Sequence, residues 1–232
     1  MTIKKAAVWF LALLMALALV APGAWAASKD KAAARVLEAL DTLNMAMKQD
    51  DKSVPRDLLK QAKAVAIFPG MIKAGFIIGG EGGTGVICMR HNDGSFSPPA
   101  FFTMAGASFG LQIGAASTDL LLVVMKKKGL DGILHNQVKF GAGVSAAVGP
   151  VGRSASAGLT AAAKEADVLS YSWSKGVFAG IALDGMGMEY DKATSKNYYG
   201  KDLGVRDILE KGKASPPASA KKLMSALEKY SK

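Results

Sequence analysis

The chain has 232 residues, a net charge of +10, 26 glycines, 11 methionines and a single cysteine. Half of it is hydrophobic, enough for a real core in one large domain or two small ones, so a disordered chain is excluded. Cys88 has no partner for an intramolecular disulfide, and with only His91 and His135 a zinc site of cysteine and histidine falls short of the usual ligand number.

The first expected element is an export signal over residues 1–26. Lys4 and Lys5 precede an apolar run from Ala6 to Val20, Pro22-Gly23 breaks it, and Ala24-Trp25-Ala26 is an Ala-x-Ala cleavage site. The run is shorter than the roughly 20 residues a bilayer-spanning helix needs. Cleavage after Ala26 leaves a domain at 27–232 with a charge of +8, and no cysteine stands at the site for a lipoprotein anchor. The mature protein is expected to be periplasmic or secreted, peripheral to a membrane, with Cys88 an inert buried thiol.

Helix is predicted from Ser28 to Lys48, where Val36, Leu40, Leu43 and Met47 recur on one face. Lys29, Lys31 and Arg35 crowd its first turns. That is the arrangement of an interfacial helix, and equally of an ordinary amphipathic helix packed on a sheet. A second helix is predicted to start at Ser53-Val54-Pro55 and run to about Ala64.

The middle of the chain reads differently, because 22 of the 26 glycines lie between Gly70 and Gly187. Phe76 to Gly80, Thr84 to Met89, Ala100 to Met104, Leu120 to Met125 and Val177 to Leu183 are short β-branched or aromatic runs bounded by turn residues, and are predicted strands. Asn92-Asp93-Gly94 is a hairpin signal. One helical turn is expected between Gly129 and Leu134, while Ala155 to Asp167 fits strand or helix. Helix returns at Val205 to Lys211 and Ser219 to Tyr230, separated by Ser215-Pro216-Pro217. The expected fold is a single α+β domain: a curled, mainly antiparallel glycine-rich sheet, barrel-like or sandwich-like, flanked by amino- and carboxy-terminal helices.

Five ordered motifs then resemble the signatures of the SYLF lipid-binding domain. They are Ala64-Val-Ala-Ile-Phe-Pro-Gly-Met-Ile-Lys-Ala-Gly-Phe-Ile-Ile-Gly-Gly-Glu81; Ser97-Pro-Pro-Ala-Phe101; Ala107-Ser-Phe-Gly-Leu-Gln-Ile-Gly114 with Ser117-Thr-Asp-Leu120; Tyr171-Ser-Trp-Ser-Lys-Gly-Val-Phe-Ala-Gly180; and Asn197-Tyr-Tyr-Gly200. The resemblance covers roughly Leu37 to Leu209 and implies a lipid-binding module. Eukaryotic members bind phosphoinositide-containing membranes, some bind actin, and bacterial members are secreted single-domain proteins. A signal peptide without an appended Src-homology domain argues against actin here and makes bacterial anionic phospholipids the expected partner.

The candidate lipid-binding residues are therefore basic: Lys29, Lys31 and Arg35; Lys126, Lys127 and Lys128 on an expected exposed turn; and Lys73 and Arg153, in glycine-rich surroundings where backbone amides could join them around an anion. Aromatics make up only 7% of the chain and do not interleave with basic runs, so nucleic acid is not an expected partner. Gly106-Ala-Ser108-Phe-Gly110 matches the nucleophile-elbow pattern G-x-S-x-G, with Asp119 or Asp131 and His135 following in order. A serine hydrolase acting on lipid or cell-wall esters is thus one alternative to non-catalytic lipid binding, and a structural or assembly protein of the envelope is another. Glu81, Asp119 and Asp184 are expected to partner a lysine or a backbone amide, and Met45, Met47, Met71 and Met104 to fill core or line an acyl-chain pocket. No cofactor is expected.

Overall fold

The computed structural model describes residues 29–49, 53–136, 138–152, 160–178 and 183–232, with the backbone alone over 74–79 and 108–115. The export signal and Arg153 lie outside the described residues. Seven helices and seven strands are found among them: α1 Lys29–Lys48, α2 Arg56–Gln61, β1 Ala64–Met89, β2 Ala100–Val124, α3 Lys127–Leu134, β3 Val138–Lys139, β4 Ala146–Val148, α4 Ala161–Glu165, β5 Val168–Ser174, β6 Val177–Phe178, β7 Gly187–Tyr190, α5 Lys192–Tyr199, α6 Val205–Leu209 and α7 Ala218–Tyr230.

Two long strands dominate. β1 and β2 pair antiparallel from Ala64 opposite Val124 to Ile87 opposite Ala100, joined by the loop that holds Asn92-Asp93-Gly94, with Gly94 at a φ of 88°. The segments expected as separate strands, Phe76 to Gly80 and Thr84 to Met89, both belong to β1. The intervening glycines look like punctuation in sequence, but here they allow one strand to turn back against itself. A side chain at Gly85 would meet the Ile67 carbonyl oxygen at 2.3 Å and the Phe68 ring at 2.5 Å. The turn-back closes at its ends, where the Arg90 amide donates to the Lys63 carbonyl at 2.9 Å.

A register shift falls between Phe68 and Met71, and Gly70 occupies it at a φ of 60°, a backbone conformation that costs glycine little. Its amide donates to Asp119 Oδ1 at 2.8 Å, so Asp119 partners a backbone amide as expected.

The remaining strands extend β2 on both sides. The order β3-β7-β2-β5-β4, with β1 also on β2 and β6 on β5, makes a curled half-barrel in which only the β4–β5 pair is parallel. Because side chains alternate along a strand, β1 and β2 feed two cores. Val65, Ile67, Val86, Cys88, Leu121 and Val123 face the helices, against Ala32, Val36, Ala39 and Leu43 of α1 and Leu223, Leu227 and Tyr230 of α7. Ala64, Ala66, Phe68, Met71, Ile87, Phe102, Met104, Leu120 and Leu122 face the concave side, closed by Ile133, Phe140, Met186, Met188 and Ile208. Each large aliphatic side chain so buried contributes about 1.5–3 kcal/mol.

The stretch from Ala155 to Asp167 includes α4, capped by the Thr160 hydroxyl, which accepts from the Ala163 amide. Met71 and Met104 are core residues, while Met45 and Met47 pack half-buried against the helical side.

Candidate membrane-docking site

The amino-terminal trio does not converge on an anion. Lys29 and Lys31 are exposed, but Arg35 is turned inward: Nη1 donates to the Pro69 carbonyl at 3.0 Å and pairs with Glu38 at 2.9 Å. Arg35 braces α1 on the β1 bulge. The cavity beside it, about 420 Å³, is lined by Glu38, Asp41 and Asp119 with Arg35 as its one cation, so its charge suits no phosphate. The apolar stripe of α1 is used for packing, since Val36 and Leu43 are fully buried, and the ordinary reading of that helix holds.

Lys127 and Lys128 are exposed as expected and Lys126 is half-buried, but the run stands at the start of a helix and not on a free turn. Lys126 precedes α3 and the other two occupy its first turn. Lys126 lies 3.7 Å from Glu165, Lys127 pairs with Asp131 at 2.7 Å, and Lys128 faces the buried Asp167 at 3.9 Å. Asp167 also accepts from the Ser145 amide and hydroxyl. These lysines neutralise their own neighbourhood.

Lys73 is exposed on β1 opposite Ala116, next to Ile72, which is 58% exposed. Its backbone is extended within the β1–β2 ladder, where successive amides point to opposite sides, so they do not converge into the expected nest around it. Lys73 does act on Glu81. Burial pushes the Glu81 carboxyl above its ordinary value near 4.5, and Lys73 pulls it partly back.

The sign of the pH effect follows. At acid pH both folded and unfolded chains hold the Glu81 proton; as pH rises past 4.5 the unfolded chain releases it first, and stability falls until the folded carboxyl also ionises. Glu81→Gln is expected to remove that loss. From pH 4 to pH 7 the urea midpoint should fall less, or rise more, in the variant than in the original chain, and the same change in both would show that Glu81 is not the group responsible.

The elbow pattern is not formed. Ser108 stands within the β2 ladder opposite Gly79, with no strand-to-helix turn, and His135 at the end of α3 is engaged by Arg206 Nη2 at 3.0 Å and the Asp131 carbonyl at 2.7 Å.

What single-residue reasoning missed is a property of the paired strands. Over Ala107 to Thr118, β2 pairs with β1 alone among the described residues, forming a two-stranded ribbon beyond the body of the half-barrel. No charged residue lies between Lys73 and Glu81 on β1, or between Asp93 and Asp119 across β2. The ribbon's sequence includes Phe76, Ile77, Ile78, Phe109, Leu111 and Ile113. The signal was present as two uncharged runs, but it acquires meaning only when the register sets Ile77 opposite Gly110 and Ile78 opposite Phe109. No described helix is long and apolar enough to cross a membrane.

Comparison with known proteins bears on this directly. Residues 105–230 match the profile of the Ysc84 family, described as "Las17-binding protein actin regulator". The chain belongs to the Ysc84/SYLF family. It is similar to "LAS seventeen-binding protein 3" of Saccharomyces cerevisiae, 34% identical over 203 residues, covering 87% of this chain and 44% of that protein. It is similar also to "SH3 domain-containing YSC84-like protein 1" of Homo sapiens, 31% identical over 204 residues, covering 88% of this chain and 58% of that protein. The chain thus spans about half the length of these SYLF relatives. No solved structure matches it.

Proposed function

We propose that this SYLF domain docks on anionic phospholipid membranes through the far end of the β1–β2 ribbon. The observation that supports it is the uncharged two-stranded ribbon flanked by the exposed pair Ile72 and Lys73. Apolar surface leaving water contributes about 25 cal/mol per Å², and a lysine at an anionic surface about 1 kcal/mol more. A two-stranded ribbon has unpaired amides and carbonyls along its outer edges, which hydrocarbon would leave without partners, so the ribbon lies in the interface and does not span. Export to an envelope compartment, from the amino-terminal signal pattern, would make bacterial anionic lipids the surface encountered.

The test is cosedimentation of residues 27–232 with neutral and anionic vesicles across a salt series. Anionic vesicles should bind more strongly, with affinity falling as salt screens the lysines. Ile72→Asp combined with Lys73→Glu should weaken binding at least ten-fold, since it replaces an apolar contact and reverses a charge. Equal binding to both vesicle types would refute the electrostatic part, and no binding would refute the proposal.

The family description and the relatives' names favour a second reading, in which this chain contacts a protein of the actin-regulating machinery. Cosedimentation with actin filaments in place of vesicles separates the two. A hydrolase reading gains no support from the placement of Ser108 in a ladder.

A further inference from the structure

The turn-back of β1 builds a second feature at the opposite end of the sheet from the ribbon. Lys63 immediately precedes β1 and Arg90 immediately follows it, and the hydrogen bond between their backbones holds them together. Beside them opens a cavity of about 540 Å³, lined by Lys60, Gln61, Lys63, Arg90, His91, Asn92 and the backbone around Ala62 and Met125.

Its charge is one-sided. Three cations line it and no carboxylate does, and none of Lys60, Lys63 and Arg90 has an ion pair among the described residues. The contrast is with Lys126, Lys127 and Lys128, each matched to an acid. Asp93 belongs to the same loop, but its carboxylate is occupied by the Ser95 amide and hydroxyl at 2.9 and 2.7 Å.

Arg90 supplies an independent sign. Its Nε is buried and has no hydrogen-bond partner, and Nη2 lies along the turn, 3.1 Å from where a side chain at Gly94 would begin. A buried guanidinium N–H without an acceptor is costly, and a rotation of the Arg90 side chain toward the cavity would let its fork hold two oxygens of one tetrahedral anion and give Nε the acceptor it lacks. Lys60 also serves the negative end of α2, which leaves Lys63 and Arg90 as the principal cations.

We propose that this cavity binds a dianionic phosphate group, free or as a monoester. At about 3.3 Å per residue, Lys63 lies about 30 Å along the strand from Lys73, so a chain docked by its ribbon holds this cavity away from that membrane. The site is independent of the ribbon, and either can fail without the other.

Calorimetric titration at low ionic strength, with orthophosphate, glycerol 3-phosphate and vesicles containing phosphatidate as separate probes, tests it. Saturable binding of at least one soluble probe is expected, weakened ten-fold or more by Arg90→Gln and by Lys60→Gln with Lys63→Gln, and unchanged by Lys73→Glu. The double lysine variant alters only exposed side chains and keeps the test decisive should Arg90→Gln melt early. Vesicle binding that falls together with soluble binding in these variants assigns a headgroup as a source; vesicle binding left intact assigns a soluble one. No saturable binding of either soluble probe, or binding by both variants equal to the original chain, overturns the proposal.

Discussion

Replacing Gly85 with alanine is expected to lower stability by about 3 kcal/mol, the upper range for forcing an extra methyl into a packed interior. The new Cβ would lie 2.3 Å from the Ile67 carbonyl oxygen, a backbone atom fixed by the β1–β2 ladder, and 2.5 Å from the Phe68 ring, which is itself fully buried. No rotamer change relieves a clash with backbone, so the two halves of β1 would have to separate, and with them the Lys63–Arg90 closure. Gly80→Ala is the matched control, because a Cβ there meets nothing within 4 Å. Its effect should stay within about 0.5 kcal/mol, as for ordinary surface substitutions. Urea denaturation of both variants measures the difference. Equal midpoints would show that the turn-back is not as tight as the geometry requires.

Trp173→Ala should cost about 3–5 kcal/mol, the usual range for deleting a buried tryptophan. Trp173 is 1% exposed on β5, stacks parallel to Tyr171 at 6.4 Å and meets Phe178 edge-on at 5.9 Å. Its indole N–H donates to Gln49 Oε1 at 3.1 Å, and the amide of Gln49 reaches the Gly176 carbonyl at 3.0 Å, so the residue ties the end of α1 to the sheet. Gln49→Ala removes that polar tie alone and should cost only about 1 kcal/mol. If the two variants melt together, the tie and not the packing of the ring carries the stability.

The helices and the class of fold were legible because their signals are local. The spacing of Val36, Leu43 and Met47 is a property of twenty consecutive residues, and α1 ends at Lys48 where the pattern stops. Strand pairing was less legible, since glycines between Gly79 and Gly85 stop a strand in most contexts and here let one strand pass against itself. The site was the least legible part. Lys126, Lys127 and Lys128 stand out as a charge run, yet only Asp131 lies near them in sequence; Glu165 and Asp167 come from the distant stretch around α4, which no short window contains. Lys60 and Lys63 are close in sequence but carry no motif, and only the curl of β1 brings the remote Arg90 to them.

The turn-back of β1 also fixes where this fold can accept change. Its curvature lies inside two uninterrupted strands, so the place where the sheet bends has no connecting loop to lengthen, nick or replace. Inserting a single residue at the bend would shift every later pairing by a step and exchange the two cores, because successive side chains feed opposite faces. The loop between Met89 and Ala100 follows the last ladder pair of β1 and opens to solvent at Asn92 and Asp93. Variation in length belongs there, at the mouth of the basic cavity, where added residues would reshape access to it and leave the sheet in register.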